Sequence, residues 1–218
     1  ANLRAAGVAT PAIRVEASQV EDRSLRTIEF YVPGLLAYAV SIASVFGLAV
    51  TLVQWRTTGL MRRLRLAPVR TAEVAASRVI VHLAIALAQA ALMIGVGVAV
   101  FGLRLQGAWW MAFPLVLVGT LAFLALGLVA AALGRTAEAA SAIANVLTLP
   151  MAFLSGVFFP IDGAPAWVRV VARALPLRYL VEALKDVMVR GQSPASVLPA
   201  VGALLAAAVV AGLVGLRL

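Results

Sequence analysis

Few polar side chains sit inside the apolar runs of this 218-residue chain, and those few are the ones whose chemistry has to be weighed first. There is one histidine, His82, and no cysteine. His82 and Gln89 lie seven residues apart, which places them on one face of a helix. Polar residues within a membrane span usually face the bundle interior, so the pair could contact a solute, relay a proton or hydrogen-bond between helices. With a single histidine and no carboxylate in any span, the interhelical hydrogen bond is the preferred reading. Asn145, Thr148 and Ser155 pose the same choice in a later run, where Asn145 and Thr148 stand one turn apart and Pro150 loosens the backbone nearby. Absences narrow the chemistry further. No GxxxxGKS/T loop offers a phosphate cradle, so the chain is not expected to bind ATP itself. No HExxH, no paired intramembrane carboxylates and no supported serine–histidine constellation point to a protease or a metal enzyme. Without cysteine, thiolate metal sites and disulfides are excluded.

Composition defines the elements that must carry these residues. The chain is 63% hydrophobic and 12% charged, with a mean hydropathy of +1.03. Ordinary globular domains are roughly half apolar and a quarter charged, so this is an all-α polytopic membrane protein. The net charge of +9 would suggest nucleic acid in a soluble protein. Here the arginines flank apolar spans, so we read them as topology and anionic-lipid contacts, with no nucleic-acid partner.

Five runs are long enough to cross the bilayer as helices, at about 32–54, 79–103, 109–133, 142–159 and 197–216. Pro33 suits the first turn of the first, and Ser41, Ser44 and Gly47 give it a small-residue surface for close helix packing. Trp109 and Trp110 anchor the start of the third at an interface, and GRTAEAAS over 134–141 reads as a polar turn before the fourth. Residues 1–30 show no long apolar run and are expected outside the bilayer, with a weak strand-like alternation over 13–18.

Two charged segments interrupt the spans. Residues 55–78 hold six arginines, Arg56, Arg62, Arg63, Arg65, Arg70 and Arg78, against one acid, Glu73. Residues 160–195 show helical periodicity with too many charges to cross. Pro165 opens a helix whose Val168, Val171, Ala172 and Leu175 oppose Arg169 and Arg173. Pro176 opens a second with Leu180, Leu184 and Val187 on one side and Arg178, Glu182, Lys185 and Asp186 elsewhere, before a stop at Gly191. Arg178 with Glu182, and Glu182 with Lys185, have the spacing of surface ion pairs. The pair reads as an interfacial or re-entrant helical hairpin. Lys and Arg number eight on the side of the arginine-rich loop (six within it, Arg135, Arg217) and ten on the other (four in 1–30, Arg104, five in 160–195). Charge density therefore only favours the loop facing the cytoplasm.

The order of an apolar span, GLMRRLRLAPVRTAEVAASRV, two spans and LPMAFLSGVFFPIDGAPAWVRVVARALPLRYLVEALKDVMVRG resembles the permease subunit of ABC type-2 exporters. YVPGLLAY resembles that family's entry into its second helix. The resemblance implies six membrane helices per permease with a cytoplasmic N-terminus. The five spans here would then be the second to sixth, and residues 1–30 the tail of an extracytoplasmic segment. It implies a cytoplasmic coupling helix around residues 57–66 that docks on an ABC ATP-binding subunit, with Leu60 and Leu64 entering a groove and Arg62, Arg63 and Arg65 reaching acids or lipid phosphates. ATP and Mg would bind on that subunit, with no cofactor on this chain. A second permease, identical or different, would complete the path, lined by residues such as His82, Gln89, Asn145 and Thr148. The implied setting is the cytoplasmic membrane of a bacterium or archaeon. Two other classes fit the composition: a gradient-driven secondary transporter, which calls for intramembrane acids or broken helices in repeats, and a non-transporting scaffold whose basic loop recruits a soluble partner.

Overall fold

The computed structural model describes residues 27–60, 71–159 and 163–218. Among these, the order is α1 (Thr27–Thr57), α2 (Thr71–Ala99), a 3-10 turn (Trp109–Met111), α3 (Ala112–Leu133), α4 (Ala137–Leu154), α5 (Ala166–Arg173), α6 (Pro176–Met188), a second 3-10 turn (Pro194–Val197) and α7 (Leu198–Arg217). Five helices, α1, α2, α3, α4 and α7, are long and apolar enough to cross a membrane, and no strand occurs among the described residues. α2 and α7 turn Ile80, Ile85, Leu92, Val209, Val210 and Leu213 outward. An apolar surface of that extent suits lipid and would be a liability in water.

α3 is the central post. α1 and α7 pack along it, with α2, α4 and α6 closing around. Small residues set these approaches. A Cβ on Gly127 would stand 2.8 Å from the Val45 carbonyl oxygen of α1, and one on Gly215 would stand 2.8 Å from Leu128 of α3. With no hydrophobic drive between helices in lipid, such backbone-close packing supplies the association. Buried hydroxyls add little between helices. Those of Ser41, Ser44, Thr120 and Thr148 each donate to a carbonyl three or four residues back in their own helix, at 2.7–2.8 Å.

The helices differ from the apolar runs at their ends. α2 begins at Thr71, well before the expected residue 79, and α4 at Ala137 instead of 142. A first turn tolerates acids because the helix presents partial positive charge there, and Glu73 and Glu138 occupy those turns. Thr136 also caps α4, its hydroxyl oxygen accepting from the Ala139 N–H at 3.1 Å. The expected 134–141 turn and 55–78 loop are shorter for this reason. At the opposite ends the runs outlast the helices. Gly102 at φ +64 and Gly156 at φ +79 turn the chain through the left-handed region, so Val100–Leu103 and Ser155–Phe159 are apolar but not α-helical. α1 starts at Thr27, which puts residues 27–30 in helix and Pro33 inside it instead of in its first turn. The strand-like alternation over 13–18 lies outside the described residues.

The two helices after α4 form where proline predicts, α5 behind Pro165 and α6 opening on Pro176. Their faces are redistributed. On α5, Val171 joins Trp167 and Val170 in an exposed apolar stripe, while Ala172 is buried. α6 is packed among α1, α3 and α7, and nine of its 13 residues are buried, Lys185 included. Arg178 does pair with Glu182 at 2.8 Å. Lys185 turns inward and does not take the surface position its spacing from Glu182 suggests.

Candidate functional site

The described ends of the arginine-rich loop are fastened to three helices. Arg56, in the last turn of α1, donates through Nη1 to the Ala131 carbonyl at 3.0 Å. Ala131 is in the last turn of α3, where free carbonyls and the helix dipole favour a cation. Arg78, in α2, stacks over Trp55 of α1 with its guanidinium carbon 4.4 Å from the ring centroid, within the reach of a cation–π contact. One turn further along α2, His82 Nδ1 is 2.8 Å from the Arg78 carbonyl. A carbonyl can only accept, so Nδ1 is the donor in this contact. The ring is buried against α1, where a Cβ on Gly47 would come within 2.6 Å of Nε2. Gly47 therefore makes room for the imidazole.

Of the residues expected to meet a partner, Leu60 is half-buried and follows directly on a turn at Thr58 and Gly59, with Gly59 at φ +69. Arg62, Arg63, Leu64 and Arg65 lie outside the described residues.

The polar residues of the spans do not converge on one site. Gln89 shares the His82 face of α2, yet its buried Oε1 has no hydrogen-bond partner, and the ring of His82 bonds within its own helix. Among the described residues neither shows the interhelical hydrogen bond preferred from sequence. Asn145 and Thr148 part company as well. Thr148 is buried, with its hydroxyl on the Ala144 carbonyl at 2.8 Å. Asn145 is exposed on the outward face of α4 with Val146, Leu149 and Phe153. The Ser155 hydroxyl, at the end of α4, is buried without a partner.

At the opposite end of the bundle, the stretches that carry the family resemblance meet in space. Residues 155–159, SGVFF, lie against YVPGLLAY of α1. A Cβ on Gly34 would stand 3.2 Å from the Val157 carbonyl oxygen, the Tyr31 hydroxyl donates to the Phe158 carbonyl at 3.5 Å, and the rings of Tyr38 and Phe158 meet edge-on at 5.8 Å. Lys185 of α6 joins them. Its Nζ donates to the Gly156 carbonyl at 2.9 Å and sits 3.6 Å from the centroid of the Phe30 ring. A second backbone contact closes this end. The Gln106 N–H donates to the Met188 carbonyl at 3.0 Å, and a Cβ on Gly107 would fall 2.7 Å from Gly191 Cα.

Sequence reasoning missed Lys185, Gly34 and the Trp55–Arg78 stack as working parts, whereas Gly47, expected to allow close packing, does so against His82. A signal existed for the stack, since an aromatic residue and an arginine at the two borders of one basic loop can meet when the loop closes. Lys185 and Gly34 depend on which distant residue stands opposite.

The described residues thus form a multi-pass helical bundle in which the motif stretches meet at one end. Residues 9–189 match the ABC-2 type transporter family, and the chain belongs to it. Among its curated relatives are the linearmycin resistance permease protein LnrN of Bacillus subtilis, 28% identical over 80% of this chain and 45% of its own length, and the probable multidrug ABC transporter permease YbhR of Escherichia coli, 21% identical over 75% and 45%. ABC transporter G family member 20 of Dictyostelium discoideum is 25% identical over 75% of this chain and 22% of its own length. The matched region is thus less than half of each relative. The chain is a multi-pass membrane segment of the ABC-2 type transporter family.

Proposed function

We propose that the chain forms the substrate path of an ATP-driven exporter, with the arginine-rich loop facing the cytoplasm and docking on a separate ATP-binding subunit. ATP and Mg bind on that subunit, and a second permease faces this one across the path. The observation that carries the reading is how the loop is fastened, with Arg56 on α3 and Arg78 on Trp55, so that a push on it reaches α1, α2 and α3 together. The outward face of α4 supports a path at its surface. Asn145 is exposed near mid-helix, and Pro150 has no N–H to give the Val146 carbonyl four residues back. A side-chain amide and a carbonyl deprived of its helical donor are poorly served by lipid and well served by a second permease or a polar group on the cargo. Two relatives are named for linearmycin resistance and for multidrug transport, which favours a small organic compound as cargo. The membrane is the cytoplasmic one of a bacterium or archaeon.

Replacing Leu60 and Leu64 together with Asp tests the docking. Insertion is expected to stay normal while the ATP-binding subunit no longer co-purifies and transport stops. Undiminished assembly rejects the coupling role. Orientation is read by single cysteines at Thr58 and Gln192, both exposed and at opposite ends of the bundle, in a chain with no cysteine of its own. They are expected to label from opposite sides of the membrane, Thr58 from the cytoplasm.

A further inference from the structure

Lys185 lies on a helix of mixed polarity, yet its side chain is 5% exposed and enters the protein where three segments converge. From α6 it reaches the Gly156 carbonyl, just past the end of α4, and the Phe30 ring at the start of α1. Gly156 presents that carbonyl from a left-handed conformation, φ +79. The turn it belongs to lies backbone-close to Gly34, with Val157 fully buried. A methionine has similar length and would fill the same space without the desolvation of a charge. What it lacks is a donor that draws in a carbonyl and a cation that draws in a ring.

We propose that Lys185 is a positioning residue whose ammonium holds the Ser155–Phe159 turn against the start of α1, so that α6, α1 and the end of α4 keep one arrangement at this end of the bundle. The turn follows directly on α4, whose outward face carries Asn145, so the lysine sets where that face stands. This purpose rests on the export reading. The hold itself does not, and it is measurable without cargo or ATPase.

The 218 residues hold no cysteine, so an introduced thiol is the only one among them. Val157→Cys reports on the turn and Val53→Cys on the loop end of α1, both at positions fully buried in the native chain. Each is placed in the 218-residue chain in membranes, and its rate of modification by a small water-soluble thiosulfonate is followed. Losing a hydrogen bond from a charged donor shifts a local opening equilibrium by about tenfold or more. Lys185→Met is therefore expected to speed labelling at Val157→Cys by about that factor while leaving Val53→Cys unchanged. Lys185→Arg, which keeps a charged donor, is expected to retain protection. The proposal is overturned if Val157→Cys stays protected beside Lys185→Met, if both reporters open together, or if Lys185→Arg behaves as Lys185→Met does. Loss of ATPase binding in the Leu60 and Leu64 variant bears on the export reading alone, so failure of one idea is separable from failure of the other.

Discussion

The two ends of the bundle are closed by different means. At the loop end the fastenings are largely side chains, Arg56 on a helix C-terminus, Arg78 over Trp55 and His82 in the space left by Gly47, with Gly134 against Ala140 the backbone exception. At the other end they are largely backbone against backbone, Gly107 on Gly191 and Gly34 on Val157, with Lys185 set among them. Long side chains hold their partners over a range of separations because their rotamers can follow a small shift. Backbone contacts at van der Waals distance cannot. The loop end is built to accommodate displacement and the far end to resist it, the asymmetry that the proposed docking at the loop calls for.

The contrast is open to attack by substitution, and the largest effect belongs at the far end. Gly107→Ala forces a side chain into left-handed backbone, φ +55, and drives its Cβ to 2.7 Å from Gly191. Strain and clash together are expected to cost about 3 kcal/mol, read as a lower unfolding midpoint in detergent. Gly47→Ala meets the mobile edge of an imidazole instead of backbone, 2.6 Å from Nε2. About 1–2 kcal/mol is expected, most of it recovered in the double variant with His82→Ala. Failure of that rescue would show that the helix backbone, not the ring, limits the approach of α1 to α2. Arg78→Gln removes the stack on Trp55 and should lower stability by about 1 kcal/mol. A loss equal to that of Gly107→Ala would erase the distinction between the ends. The smallest change is expected at Glu182, about half exposed in its pair with Arg178, where Glu182→Gln should stay within about 0.5 kcal/mol in the same unfolding assay.

Much of the fold could be read from apolar runs, because a span needs some 20 residues without charge and few other structures satisfy that. Helix ends were less legible for one physical reason. Hydropathy reports where a chain is content in lipid, whereas a helix stops where its backbone turns. Glu73 and Glu138 are helical despite their charge, and Gly102 and Gly156 end apolar segments that hydropathy would continue. The site was harder. Lys185 stands three residues from Glu182 and one from Asp186, the signature of a solvated helix face. Its burial is decided by Phe30 and Gly156, which are distant in sequence. Asn145 and Thr148 looked equivalent at one-turn spacing, and only the position of α1 beside α4 shows which is covered.

α1 runs unbroken for 31 residues, from beside the Lys185 cluster to the Arg56 tether. At 1.5 Å per residue that is a rod of about 46 Å in a hydrocarbon layer of about 30 Å. A rod of that length tilted by about 10° about one end carries the other through about 8 Å, roughly a turn and a half of helix. The geometry of α1 thus supplies leverage: with its start held where Gly34 meets Val157, a small tilt about that end is magnified to about 8 Å at the Arg56 end, with no hinge required along the way.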